Sequence, residues 1–183
     1  MDSIIRPGIV DSIGEMGALT AFGNGTAAAL YASHVLEHAH YGVVAPPGST
    51  HSVTDVLKEW ARVLEEGGRV FISVPDLEGL ARMYLDARSG VNHRYFIMRM
   101  MFGGQSETTD AHYVGWDEDM LVGFLDAAGF CNMRRVDEFV GVQWEDSSNL
   151  WYDWTRNTNV RGEKEVGGKG GAPVSLNLIA EKC

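Results

Sequence analysis

The spacing of hydrophobic and polar positions along this chain predicts a succession of helices and strands. Between Ser52 and Gly68 the apolar residues recur at helical spacing, with Ser52 or Thr54 as the N-terminal cap and a glycine pair as the end. The next run, Arg69–Val74, is almost continuously apolar and β-branched, as in a strand covered on both faces. A matching strand is predicted earlier, over Ala27–Ala32. Together these three elements predict a βαβ unit with parallel strands.

The second half of the chain continues the pattern and completes a mixed sheet. Helical spacing returns over Leu77–Leu85 and again over Met120–Ala128. Met133–Val140 and Val174–Ala180 alternate as strands, and because no helix is predicted between them we expect an antiparallel pair at one sheet edge. The expected fold class is therefore α/β, with a mixed, mostly parallel sheet in a single domain over residues 1–183.

One long segment, Gln143–Ala172, carries no clear periodicity. It contains three tryptophans and ends in a glycine-rich run, and it is long for a structureless connection. We interpret it as a lid or interface loop that is partly disordered.

Composition and charge narrow the classes of partner. The 183 residues carry 25 acidic and 15 basic side chains, which give a net charge of -10. This charge disfavours binding to nucleic acid and to anionic membranes. No apolar run approaches the ~20 residues that span a bilayer. The two cysteines, Cys131 and Cys183, are far apart in sequence, so we expect no disulfide framework, no thiolate zinc site and a cytoplasmic location.

Three short motifs follow one another at the predicted strand ends. Ser33–His38 reads SHVLEH, Arg62–Gly68 reads RVLEEGG, and Val74–Asp76 reads VPD. In this order they resemble the class I S-adenosylmethionine-dependent methyltransferases of the type 11 group. The resemblance implies a Rossmann-like sheet and methyl transfer from S-adenosylmethionine to a small-molecule acceptor. It continues through Tyr95–Gly104, His112–Trp116 and Pro173–Leu178.

The resemblance also implies where the cofactor lies. Ser33 and His34 would line its methionine end, where the first parallel strand meets the helix connection. Glu15 and Met16 would lie around the adenine, because a carboxylate can accept the adenine amino group while an apolar side chain packs on the ring. The alternative is that Glu15 is a solvated loop residue and Met16 an ordinary core residue.

Acceptor binding and catalysis are assigned to the segment between the predicted helices Leu77–Leu85 and Met120–Ala128. His112 is the candidate general base, needed only for an acceptor that loses a proton, and Tyr113 and Trp116 are candidate substrate contacts. The alternative for these three residues is an aromatic cluster that packs the penultimate helix on the sheet.

The chain departs from the family where the cofactor turn should be. Such enzymes begin with a strand and a glycine-rich turn, whereas here Asp11–Gly17 keeps a glycine at only one of the expected positions. We expect the sheet to lack its first strand and helix, and S-adenosylmethionine to bind weakly or not at all. The Ala27–Ala32 strand would then have a bare edge, which predicts a homodimer or higher oligomer. The alternative is that the aromatic-rich segment Gln143–Ala172 covers this edge within one subunit.

Two other classes of function compete with this interpretation. The spacing of His34, Glu37 and His38 also matches the HxxEH zinc motif, with His40 as a third ligand and Glu37 as the base. We prefer to assign Glu37 and His38 to a turn and expect no metal site, because the flanking βαβ pattern suits a methyltransferase better. The other alternative is a non-catalytic binding or scaffold module that retains a methyltransferase sheet.

Overall fold

The computed structural model describes residues 14–140, 150–153, 158–161 and 172–183. The helices are α1 (Val53–Val63), α2 (Leu77–Leu85), α3 (Val91–Phe102) and α4 (Glu118–Ala127). The strands are β1 (Ala27–Ser33), β2 (Leu64–Pro75), β3 (Phe130–Val136), β4 (Leu150–Asp153), β5 (Thr158–Arg161), β6 (Ala172–Pro173) and β7 (Ser175–Lys182).

Four of these strands form the main sheet, in the order β1-β2-β7-β3. β1 and β2 are parallel, whereas β7 runs antiparallel to both β2 and β3. The α/β class with a mixed sheet is therefore confirmed, and so is the antiparallel pairing of the two C-terminal strands. The expectation of a mostly parallel sheet is wrong for the described residues, because β7 lies between β2 and β3 and only the β1–β2 pairing is parallel. β7 is internal to the sheet and only β3 forms that edge.

The larger core lies between the main sheet and the helices α1 and α4. Alternate residues of β2, among them Val70, Ile72 and Val74, pack on this face with Trp60 and Leu57 of α1. The opposite face carries a smaller cluster around Phe71 and Phe139. Burial on both faces explains the continuous apolar pattern of β2.

The first predicted helix is shorter than its sequence pattern. Ser52 caps α1 by accepting a hydrogen bond from the Asp55 amide, as predicted, but the helix ends at Val63 and not at the glycine pair. Gly67 lies inside β2 with a φ of 74°, where the pairing with β1 is irregular. Glycine adopts this left-handed conformation without steric cost, so the pair forms a bulge in the strand and does not end the helix.

Two features of the second half were not predicted from the sequence. α3 was missed because its apolar residues do not form one stripe, and it buries only His93 and Ile97. The segment predicted as a lid, residues 143–172, contains β4 and β5, which pair antiparallel, and β4 also pairs with β6. Tyr152 of β4 packs in a second core with α2 and α3. Residues 143–149, 154–157 and 162–171 of that segment lie outside the described residues.

The sequence was expected to form no disulfide framework, and in this structure its two cysteines pair with each other. Cys131 of β3 and Cys183, just beyond β7, form a disulfide, with their Cα atoms 5.9 Å apart. The antiparallel pairing of β3 with β7 brings together two residues that are distant in sequence. In the described residues no helix is both long and apolar enough to span a membrane.

Truncation of the α1 core should destabilise the fold strongly. Leu57 is fully buried, so Leu57→Ala should lower the free energy of unfolding by about 2–5 kcal/mol. Its neighbour Lys58 is exposed, and Lys58→Ala should change stability by less than about 0.5 kcal/mol. Urea denaturation followed by circular dichroism measures both, and equal effects would contradict the assigned core.

Oligomerisation through β1 stays a prediction, and the structure gives it a defined surface. β1 is the edge of the main sheet within the described residues, and Ala28 and Ala29 are exposed there. An edge with free backbone groups pairs readily with a second chain, so we expect a dimer at micromolar concentration. Light scattering measures this, and Ala29→Pro should weaken the dimer by blocking a backbone donor. A stable monomer with a cooperative thermal transition would rule the dimer out.

Candidate functional site

The candidate site lies at the carboxyl ends of the parallel strands β1 and β2. Ser33 is the last residue of β1, as predicted, and pairs in register with Ser73 of β2. His34 follows with a φ of 51°, while its amide still donates to the Ser73 carbonyl at 2.8 Å. This left-handed residue turns the chain out of the sheet into a 3₁₀ turn over Leu36–His38. Open α/β sheets bind ligands at this end of their strands.

Glu37 is the central residue of the site. It is completely buried, yet neither carboxylate oxygen accepts a hydrogen bond in the described part of the chain. Two imidazoles lie beside one of these oxygens, Oε1, with His34 Nδ1 at 3.3 Å and His112 Nε2 at 4.0 Å. A buried carboxylate without hydrogen bonds is costly unless nearby groups stabilise its charge.

Backbone carbonyls fix the orientation of two histidines at the site. His38 Nδ1 is 3.0 Å from the Ala111 carbonyl, and His112 Nδ1 is 3.0 Å from the Met100 carbonyl. A carbonyl only accepts hydrogen bonds, so each Nδ1 carries the proton and each Nε2 of the neutral ring has a free lone pair. The two rings meet edge to face with their centroids 4.9 Å apart. His34 differs, because its Nε2 is 2.9 Å from the Ser175 hydroxyl.

Burial and the neighbouring charges have opposite effects on the pKa values of Glu37 and His112. Burial raises the pKa of Glu37, but the His34 contact and the charge of His112 lower it more, so this pKa lies below its usual 4.5. Burial lowers the pKa of His112 below 6.5, although the Glu37 carboxylate partly raises it. At neutral pH the site therefore holds a carboxylate beside a neutral His112.

Glu15 and Met16 lie in a turn next to α1. Glu15 Oε2 is 2.5 Å from His51 Nε2, and the Met16 carbonyl accepts a hydrogen bond from Trp60 Nε1 at 2.9 Å. The Met16 side chain packs against the larger core. No hydrogen bond or ion pair connects this turn to Ser33 or His34 among the described residues. Their proposed place around adenine stays a prediction.

The acceptor candidates have different environments. His112 lies at the site, and the Tyr113 amide donates to the Glu37 carbonyl at 2.8 Å. The Tyr113 hydroxyl donates to the Pro47 carbonyl. Trp116 is fully buried and packs edge to face on Phe124 of α4, as the structural alternative expects. A role for Trp116 in acceptor binding stays a prediction, without an exposed surface to support it.

The geometry differs from the HxxEH zinc arrangement. His34 directly follows the last residue of β1 and His38 lies in a 3₁₀ turn, so they are not one turn apart on a helix. His40 is engaged elsewhere, with its Nδ1 3.0 Å from the Ser49 hydroxyl. The contact between Glu37 and His112 was not found from the sequence, because 75 positions separate them in the chain. From the sequence, only the SHVLEH motif pointed to this contact, and it identified Glu37 but not its partner His112.

Comparisons with known proteins give distant structural similarities only. No protein-family profile and no curated protein matches the chain. Similar solved structures include S-adenosylmethionine-dependent methyltransferases from Archaeoglobus fulgidus (13% identity, TM-score 0.46) and Thermotoga maritima (13%, 0.44). Each similarity covers 93% of this chain, which spans 66% and 62% of those two chains. A third, from Methanosarcina mazei, has 16% identity and a TM-score of 0.44 over 97% of this chain and 72% of its own. The function proposed below therefore rests on this chain's own residues.

The coupling of His112 to Glu37 can be tested by titration. In a chelator-containing buffer, the His112 ring protons should titrate below 6.5, and Glu37→Gln should lower this pKa further by removing the charge that raises it. Proton NMR measures both values, with His112→Asn for assignment. Because the unfolded chain takes up this proton near 6.5 and the folded chain does so only at lower pH, acidification through that window should reduce stability. A His112 pKa at or above 6.5 would contradict the assignment.

Proposed function

We propose that this chain is an S-adenosylmethionine-dependent methyltransferase-like domain that acts on a small-molecule acceptor. The observation that carries the proposal is the position of Ser33 and His34 at the carboxyl end of β1, in a β1-α1-β2 unit. The SHVLEH, RVLEEGG and VPD motifs occur in this unit in the order of the type 11 methyltransferases that the sequence resembles. The negative charge of the chain also favours a small ligand over nucleic acid.

The described residues fit the cofactor at one end. Ser33 Oγ is buried without a hydrogen-bond partner in the described structure, so it can bind a polar group of a ligand at the strand end. At the adenine end the fit is poor, because the Glu15 carboxylate is already paired with His51. No glycine-rich turn follows a strand near this site in the described residues. We therefore propose weak binding of S-adenosylmethionine.

The chain's own residues would provide orientation and proton transfer. S-adenosylmethionine, when bound, supplies the methyl group. His112 Nε2 has a free lone pair, and the lowered pKa of His112 keeps this ring neutral, so it can accept a proton from a hydroxyl or amine acceptor. Tyr113 is the better candidate for acceptor contact, since Trp116 is buried.

A non-catalytic binding or scaffold module is the second candidate. The engagement of Glu15 by His51 and the edge position of β1 favour it, since both suit association more than cofactor binding.

A cytoplasmic location belongs to the methyltransferase proposal. The Cys131–Cys183 disulfide argues against that location, because cytosolic thiols are normally kept reduced.

Titration with S-adenosylmethionine, followed by amide NMR shifts and calorimetry, tests the proposal. We expect a dissociation constant well above 1 μM, since the ~8 kcal/mol that 1 μM requires is hard to obtain from one half of a site. The amide shifts should centre on Ser33 and His34. Ser33→Ala should weaken binding further, because it removes the hydroxyl and adds no bulk at the strand end.

The matched control is Ser106→Ala, whose serine is exposed after α3. It should leave the titration unchanged. Sub-micromolar binding would contradict the incomplete site, and the absence of any shift at millimolar ligand would favour the scaffold module.

A further inference from the structure

We propose that Glu37, His38 and His112 form a binding site for a divalent transition-metal ion, with zinc as the best match. One ligand atom from each residue lies within 4.8 Å of the other two. Zinc binds imidazole nitrogen and carboxylate oxygen at about 2.0–2.2 Å. Small rotations of the three side chains would bring their donor atoms to these distances.

The histidines are oriented as metal ligands usually are. Each donates its Nδ1 proton to a backbone carbonyl, His38 to Ala111 and His112 to Met100. A hydrogen bond of this kind fixes the tautomer and leaves Nε2 free to bind a metal ion. The edge-to-face contact of the two rings keeps these side chains adjacent. The second coordination shell is therefore formed before any ion binds.

The Glu37 carboxylate is the independent observation that points to a cation. It is fully buried, and neither of its oxygens accepts a hydrogen bond in the described structure. Buried charges are normally paired, hydrogen-bonded or bound to a metal ion. The His34 contact at 3.3 Å offers only partial compensation, because it is longer than a charge-assisted hydrogen bond and the other ring nitrogen of His34, Nε2, contacts the Ser175 hydroxyl. A bound metal ion would supply the positive charge that the surroundings of this carboxylate lack.

The three ligands come from two parts of the chain that are hydrogen-bonded to each other. Glu37 and His38 belong to the 3₁₀ turn after β1, and His112 lies between α3 and α4. The hydrogen bond from the Tyr113 amide to the Glu37 carbonyl ties these segments directly at the site. This arrangement uses different ligands from the HxxEH alternative, in which Glu37 would be a base and His34 a ligand.

The chemistry of the three ligands determines which metal ions the site prefers. Two imidazoles and one carboxylate suit zinc and similar transition metals, whereas magnesium and calcium prefer oxygen ligands only. Three protein ligands leave a position for water or an acceptor oxygen. When the metal ion is bound, His112 is a ligand, and its role as a base applies only to the metal-free protein. The metal site shares His112 with the methyltransferase proposal, but its test uses no S-adenosylmethionine, so the two proposals are judged separately.

The experiment is a zinc titration of tag-free protein that has been stripped with EDTA. We expect one zinc ion per chain by calorimetry and by elemental analysis after dialysis. Zinc should also raise the melting temperature, because it binds the folded state. The ring protons of His38 and His112 should shift in the NMR spectrum, and binding should weaken at acid pH as these rings take up protons.

Variants identify the ligands. His38→Asn, His112→Asn and Glu37→Gln should each weaken zinc binding at least about 100-fold, since even second-shell changes cost 10–100-fold. His51→Gln is the matched control, because His51 also contacts a carboxylate, that of Glu15, but lies outside the cluster. It should bind zinc like the wild type. If Glu37→Gln fails to fold, the two histidine variants carry the test.

Three results would overturn the proposal. They are the absence of stoichiometric zinc binding, zinc binding that survives all three substitutions, and a preference for magnesium over zinc. Each can occur whether or not the chain binds S-adenosylmethionine, so failure of the metal site and failure of the methyltransferase proposal are distinguishable.

Discussion

A carboxylate that is fully removed from water must be stabilised by its surroundings, and Glu37 imposes this constraint on the centre of the molecule. Its backbone carbonyl accepts the Tyr113 amide, and its carboxylate lies beside His34 and His112. The turn after β1 and the segment before α4 therefore meet around one charge. Removing that charge would affect the pKa of His112 and the packing of both segments.

The sheet explains why this charge lies where it does. β1 and β2 are parallel and end together, so the chain leaves both strands on the same side. The insertion of β7 between β2 and β3 brings Ser175 to this end, where its hydroxyl contacts His34. A methyl-transfer site and a metal site would occupy the same sheet end. They share His112, which is a proton acceptor in one case and a ligand in the other.

Much of the fold could be predicted from local patterns, and the failures have physical reasons. The β1-α1-β2 unit, α2, α4 and the C-terminal strand pair follow from periodicity and capping, because the apolar positions of each element match the faces that it buries. α3 was missed because it buries little more than His93 and Ile97, so its sequence shows no stripe. The end of α1 was misplaced because Gly67 forms a strand bulge, and a glycine pair looks the same in either role.

The sequence by itself determined the fold class, the strand-end position of Ser33 and His34, and the turn that holds Glu37 and His38, because these depend on residues close together in the chain. Tertiary structure alone decided that His112 lies beside Glu37 and that Glu15 pairs with His51. It also decided the disulfide between Cys131 and Cys183. These contacts join segments that are remote in sequence, and only the packing of the sheet and helices brings them together.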